Sequence, residues 1–260
     1  GKVTAANVET INITAADIDT TATGSAAGIA ELELVATSAT KVVVSGNNGL
    51  NLDNTGNTKI TTFDASGVVS NGTTADAAAD LAVTFTSTNI TAGEAVTIIG
   101  GAGNDTLTGT AQANDTITGG KGADTITYTG GKDTFTGGEG ADKFVISAGA
   151  FGTKDLYLTI TDFSGTGKDL DKINVSAISN GTGTFGTKIA VASGATFDQA
   201  LDAAVKGNNG STNAVTNWFH FKGDTYVVVD NSNTDTYAAG VDSFIKITGT
   251  VDFVTGDFVL

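Results

Sequence analysis

The residues best placed to do chemistry are aspartates at a fixed spacing. Asp105, Asp115, Asp124, Asp133 and Asp142 follow one another at ten residues once and at nine thereafter. Two places after each stands an apolar residue: Leu107, Ile117, Ile126, Phe135 and Phe144. Three copies are near-identical (GGAGNDTLT from Gly100, GGKGADTIT from Gly119, GGEGADKFV from Gly137), and two lie between them in degenerate form. The chemistry that fits is the binding of a hard cation. Paired glycines permit the positive φ of a tight turn. Such a turn leaves backbone carbonyls pointing inward, and aspartate adds a carboxylate. Oxygen ligands, about six to eight of them, are what Ca²⁺ takes.

A short period held over five copies predicts an array of identical structural turns rather than a globular core. The pattern follows the G-G-x-G-x-D-x-U-x signature of calcium-binding parallel β-helices. The triplet after each aspartate, as in Thr106-Leu107-Thr108, predicts a very short strand whose middle residue points inward. A turn plus a strand uses about nine residues, so two of each close one coil of a flattened roll. Ions then sit between copies two repeats apart on one edge. Asp105 would share an ion with Asp124, and Asp124 with Asp142. The turn residues Gly100, Ala102, Gly119, Gly120, Lys121, Gly122, Gly138 and Gly140 complete these sites. The opposite edge uses Asp115 and Asp133. It is weaker, because GTAQAND has an extra residue and no double glycine, and TGGKD has only part of the pattern. A flexible Gly-rich linker would not keep the aspartates and apolar residues in step.

The 260 residues suffice for one large domain or two to three smaller ones. Cysteine, proline and methionine are absent, and the formal net charge is −15. Without cysteine there are no disulfides or thiolate metal sites. An acidic balance argues against nucleic acid as a partner and fits a chain partly neutralised by bound cations. Without calcium, clustered carboxylates repel and the glycine turns carry high chain entropy, so the repeats are expected to fold only with calcium. No run of about 18 apolar residues predicts a membrane helix, and no signal peptide opens the chain. The lack of methionine predicts a fragment of a longer protein.

The expected fold class is all-β: a parallel β-solenoid or β-roll, then a β-rich C-terminal domain with one short helix. Residues 1–95 carry short alternating segments, at Val8–Ile13, Leu32–Leu34, Val42–Val44, Leu50–Leu52, Ile60–Phe63 and Leu81–Phe85. Their spacing suits a solenoid or a sandwich. The solenoid is preferred, because Ala95–Ile99 runs straight into the first GGAGND. Residues 96–146 form the calcium roll and 147–260 the C-terminal domain. There, Lys154–Phe163 and Asp171–Val175 read as strands. Ala195–Gly207 reads as a helix, with Thr196 and Gln199 as a capping box, Phe197, Leu201 and Val205 as its apolar stripe, and Gly207 as its C′ residue. WFHF, TYVVVD and FIKITG are three strong β segments, with Tyr226–Val229 buried.

Residues Gly100–Val145 resemble the repeats-in-toxin (RTX) proteins exported by type I secretion. Ile160-Thr161-Asp162-Phe163 with GKDLDKINVS, and the terminal Asp257-Phe258-Val259-Leu260, resemble the C-terminal domain of serralysin-type proteases. The Thr/Ala/Asn-rich lead, Ile60–Ser66 and the WFHFKGDTYVVVDNS stretch are similar to calcium-dependent surface-layer proteins of Gram-negative bacteria. The resemblance implies calcium at the matching positions, export by type I machinery and folding outside the cell. It also implies that Asp162 with Asp169 or Asp171 holds calcium at the far end of the roll, Asp171 matching the family's D-K-I better. The competing reading is a turn carboxylate paired with Lys168 or Lys172.

A zincin would need H-E-x-x-H, and the single histidine is His220. It reads as a half-exposed strand residue on the face of Trp218, and no serine or aspartate is spaced to form a triad with it. Asp230–Asp235 lacks the EF-hand glycine and glutamate and reads as a hairpin turn. Asp53 and Asp64 read as turn caps ahead of calcium ligands. The expected function is structural: a non-enzymatic part of a surface-layer protein that folds with calcium and self-associates into a two-dimensional lattice on the cell exterior, without membrane insertion. The alternative is the calcium-binding export and folding module of an RTX protease, lipase or adhesin whose active part lies upstream.

Overall fold

The computed structural model describes residues 1–16, 29–70, 78–147, 157–165, 169–179, 183–206 and 213–260. Its first fifteen strands are short: β1 (Lys2–Thr4), β2 (Thr10–Ala15), β3 (Ala30–Val35), β4 (Lys41–Gly46), β5 (Leu50–Asp53), β6 (Thr62–Val68), β7 (Val83–Thr86), β8 (Thr97–Ile99), β9 (Thr106–Thr108), β10 (Thr116–Lys121), β11 (Thr125–Tyr128), β12 (Thr134–Glu139), β13 (Lys143–Ile146), β14 (Thr159–Ile160) and β15 (Lys172–Asn174). Among these fifteen, odd strands pair only with odd and even only with even, so the chain alternates between two sheets and winds a flattened roll. All of these pairings are parallel. Every short segment expected in residues 1–95 is a strand in this stack, and β1 is one that its pattern did not reveal.

Register follows the apolar residue two places after each aspartate. In the even sheet, Val42, Phe63, Ile98, Ile117, Phe135 and Ile160 stand in one column. In the odd sheet, Phe85, Leu107, Ile126, Phe144 and Ile173 do the same. All of these side chains are fully buried. A slip of one residue would turn each column outward, so burial fixes the register. Phe63 and Phe85, from opposite sheets, stack inside the roll with ring centroids 4.0 Å apart. Threonine holds most outward positions around the repeats, where a β-branched residue suits a pleated, half-exposed surface.

The stack does not stop at residue 146. Strands β16 (Thr184–Lys188), β17 (Val215–Phe221), β18 (Asp224–Asp230) and β19 (Ser243–Ile247) extend the even sheet, and β20 (Phe258–Val259) extends the odd one. Strand β19 lies parallel to β14, setting Ile247 beside Ile160, and β20 sets Phe258 beside Ile173. Strand β18 runs antiparallel to both β17 and β19. Helix α1 (Phe197–Val205) covers their outer face: Leu201, Ala204 and Val205 pack on Phe219, Val228 and Phe244. Val227, Val229, Ile245 and Ile247 face the roll interior. With both faces covered, the strand can be apolar through Val227–Val229. The capping box is present, Gln199 N–H donating to Thr196 Oγ1 (3.2 Å) and Thr196 N–H to Gln199 Oε1 (2.9 Å). Gly207 lies outside the described residues, as do Lys154–Leu156 of the expected strand.

Candidate metal centre

Each aspartate of the array ends a corner where the chain crosses from one sheet to the other. Corners leading from even to odd strands form one edge, carrying Asp105, Asp124, Asp142 and Asp171. Those leading from odd to even strands form the other, carrying Asp115 and Asp133. All six carboxylates are buried. Along the first edge they are linked head to tail. The Asp105 N–H donates to Asp124 Oδ1 (2.7 Å), the Asp124 N–H to Asp142 Oδ1 (2.9 Å) and the Asp142 N–H to Asp171 Oδ1 (2.9 Å). The first two links span 19 and 18 residues, one full coil each. On the other edge the Asp115 N–H donates to Asp133 Oδ1 (2.8 Å). The structure thus brings together each pair that the nine-residue spacing predicts.

The second carboxylate oxygens differ from corner to corner. Asp124 Oδ2, Asp133 Oδ2 and Asp142 Oδ2 are buried and accept no hydrogen bond. Asp105 Oδ2 takes the Gly101 N–H (2.6 Å). Asp115 Oδ2 takes both the N–H and the hydroxyl of Thr110, which stands where a second glycine would be. Asp171 Oδ2 takes the Ser164 N–H (2.8 Å). Backbone conformation divides the corners in the same way. Gly120, Gly122, Gly138 and Gly140 have φ between 106° and 136°, whereas Gly100, Gly101 and Gly103 stay out of the left-handed region. In the copies from Gly119 and Gly137 it is the second and fourth residues that need glycine's freedom, not the first.

The first glycine serves a different purpose: it leaves room. A Cβ on Gly119 would lie 2.1 Å from Asp124 Oδ2 and 2.6 Å from the carbonyl oxygen of Gly137 one coil on. A Cβ on Gly100 would lie 2.1 Å from the Gly119 carbonyl oxygen and 2.2 Å from Asp105 Oδ2. Carbonyl oxygens also stack at the second and fourth positions. That of Gly120 lies 2.0 Å from a Cβ placed on Gly138, and that of Gly122 lies 1.9 Å from one on Gly140. Ala102 donates its N–H to Val68 O (2.9 Å), and Lys121 points outward to Glu139 (2.8 Å), so these two positions bring backbone rather than side chains to the corner. Among the described residues no three His, Cys, Asp or Glu side chains converge on one point. Any cation here would therefore depend on stacked carbonyls for most of its oxygens.

Burial pushes these carboxyls up. Asp124 and Asp133 are raised to about 8, chiefly by loss of water, with the neighbouring aspartates adding to it. Asp105 and Asp171 rise to about 6 for the same first reason, their backbone N–H donors holding them back. Asp142 is also raised, by burial and then by Asp162 and Asp169 nearby. Buried charge of one sign with unpaired oxygens costs several kcal/mol unless it is neutralised or paired. A divalent cation between corners supplies that pairing. Orphaned oxygens and carbonyl cradles fit Ca²⁺, which takes flexible all-oxygen coordination.

Asp162 sits on the same edge, at the place of a first glycine, and accepts from the Gly137 and Gly138 N–H groups (2.9 Å each). It thus lies one coil beyond Asp142, with Asp171 closing the corner; Lys168 lies outside the described residues. Asp53 and Asp64 cap turns through Thr55 N–H (3.0 Å) and Ser66 N–H (3.1 Å). His220 is half-buried beside Trp218, its Nε2 3.0 Å from Val251 O. Within Asp230–Asp235, Asp230 caps the Ser232 N–H (3.1 Å). Asp242, which its sequence context does not single out, organises that loop by accepting from Asn231, Ser232 and Ala238 N–H groups.

No curated protein matches the chain. Residues 97–126 and 112–144 match the RTX calcium-binding nonapeptide repeat family, described as four copies. The roll described above therefore carries RTX repeats, and the cofactor of those repeats is calcium, bound at several sites.

Proposed function

We propose that this chain is a structural, non-enzymatic part of an extracellular surface layer, exported by type I secretion machinery and assembled into a lattice once calcium folds it. The observation that carries this reading is the column of buried aspartates along one edge, with Asp124 Oδ2 and Asp142 Oδ2 lacking any donor. At low calcium these carboxylates oppose closure of the corners, which favours an extended, exportable chain. Extracellular modules bind calcium with dissociation constants of roughly 10⁻⁴–10⁻³ M, so the switch would fall between cytoplasmic and external concentrations. When bound, calcium neutralises the edge and ties neighbouring corners together. The chain's own residues set the rest. The Asp N–H to Oδ1 ladder holds each carboxylate in register, the first glycines keep space clear, and the apolar columns transmit closure of one corner to the next.

Electron microscopy of the purified chain with millimolar calcium and with chelator tests the reading. Ordered sheets with calcium alone support it. A calcium-folded particle that stays monomeric at high concentration counts against it and favours a folding module carried by an enzyme or adhesin.

A further inference from the structure

We propose that the outer face of the odd sheet is a self-complementary contact surface, by which two copies of this chain associate face to face with their roll axes reversed. The inference rests on the reading that calcium folds the roll and that copies self-associate.

The outward residues of the odd strands are sorted by charge along the roll. At the leading end, β3 and β5 present Glu31, Glu33 and Asp53; Lys2 of β1 pairs with Glu33. The next three strands, β7, β9 and β11, present only threonines, paired in register from strand to strand. At the far end, β13 and β15 present Lys143 and Lys172 side by side, with the uncharged Val145 and Asn174 in the second row. One continuous outward row reads Glu31, Asn51, Thr84, Thr106, Thr125, Lys143, Lys172. Acid, neutral and basic blocks thus lie symmetrically about β9.

That symmetry selects one arrangement. A two-fold axis along β9, in the plane of contact, reverses the roll axis and lays each row on itself. Glu31 of one copy then faces Lys172 of the other, and Lys143 faces Asn51 between Glu31 and Asp53. The threonine blocks meet at the centre. The other in-plane axis, along the roll, would set acid on acid and lysine on lysine. A closed two-fold contact of this kind is isologous, each patch meeting its own copy. It also lets a chain of net charge −15 approach itself through a face whose charges are locally balanced. Six inter-strand steps of ~4.8 Å by about 10 Å of strand give roughly 300 Å² a side, below the ~800 Å² of a standard interface. Each contact is therefore weak alone and must be measured at high protein concentration.

The test is sedimentation equilibrium of the full chain at high concentration in saturating calcium. Two variants are compared: an acid-end variant (Glu31→Lys with Asp53→Lys) and a basic-end variant (Lys143→Glu with Lys172→Glu). The native chain should form a dimer that added salt weakens. Each variant alone should dimerise at least ~10-fold more weakly. An equimolar mixture should recover the native affinity, because every reversed pair then meets its opposite. Circular dichroism confirms that each variant folds with calcium. A native monomer, unchanged variant affinity, or a mixture no tighter than its components would overturn the proposal. If the variants still form calcium-dependent sheets, the lattice reading survives and this surface fails. If a charge-sensitive dimer forms and no sheets do, the reverse holds.

Discussion

Replacing Asp124 by asparagine should have opposite effects with and without calcium. The amide keeps the Oδ1 that accepts the Asp105 N–H (2.7 Å) and places a neutral donor near the Gly137 carbonyl oxygen. In the calcium-free fold the native carboxyl is raised from 3.8 to about 8. An acid with a raised folded pKa contributes stability that is fully present below about 3.8 and is lost as pH rises through about 8. At pH 7 the shift relevant to stability is about 3 units, or about 4 kcal/mol on the order-of-magnitude scale of 1.36 kcal/mol per unit. Asp124→Asn removes that loss. In chelator at pH 7 the variant should therefore show more β-signal than the native chain, whose ionised Asp124 opposes closure of its corner. Near pH 4 the two should coincide. With calcium at ~100 times its dissociation constant, a site contributes about 2.7 kcal/mol, and the variant should lose most of that for the ions beside residue 124. Far-UV circular dichroism in chelator, and melts in saturating calcium, at both pH values provide the assay. Equal destabilisation in chelator and in calcium would refute the reasoning, since Asp124 would then be a turn acceptor and nothing more.

The same linkage gives acid a partial substitute role: in chelator, lowering pH from 7 to 5 should relieve about 3 kcal/mol at each of Asp124 and Asp133 and raise the β-signal, and a flat pH response would contradict this. Gly138→Ala places a Cβ 2.0 Å from the Gly120 carbonyl oxygen at φ 109°, so calcium should no longer fold the roll at concentrations that saturate the native chain, as read by a calcium titration. Phe135→Ala deletes a fully buried ring from the even column and should cost about 3–5 kcal/mol in denaturant melts at saturating calcium, without changing the pH response.

The roll was legible because its rules are local. A nine-residue period names the turn, the strand and the inward residue together, and twice that period names the partner strand, so Leu107, Ile126 and Phe144 could be stacked from sequence alone. The helix cap was legible for the same reason, since Thr196 and Gln199 are three residues apart. What escaped was non-local. The pairing of β14 with β19 joins Ile160 to Ile247 across a long stretch with no period. Nothing in FIKITG announces that it continues a sheet begun at residue 10. The corners were only partly legible. The spacing equated Asp105 with Asp124 and Asp142, whereas the Gly101 N–H already satisfies Asp105 Oδ2. The glycine roles were also divided differently: first-position glycines clear space, and in the copies from Gly119 and Gly137 the second- and fourth-position ones take positive φ. Both distinctions depend on what the neighbouring coil presents, which a single repeat does not encode.

The most direct test of the account is a calcium titration of the full chain, followed by far-UV circular dichroism, after exhaustive chelation at pH 7. The account predicts a cooperative gain of β-signal on adding calcium, reversed by chelator and not reproduced by sodium at matched ionic strength. A β-signal already complete in chelator, and unmoved by calcium, would contradict it.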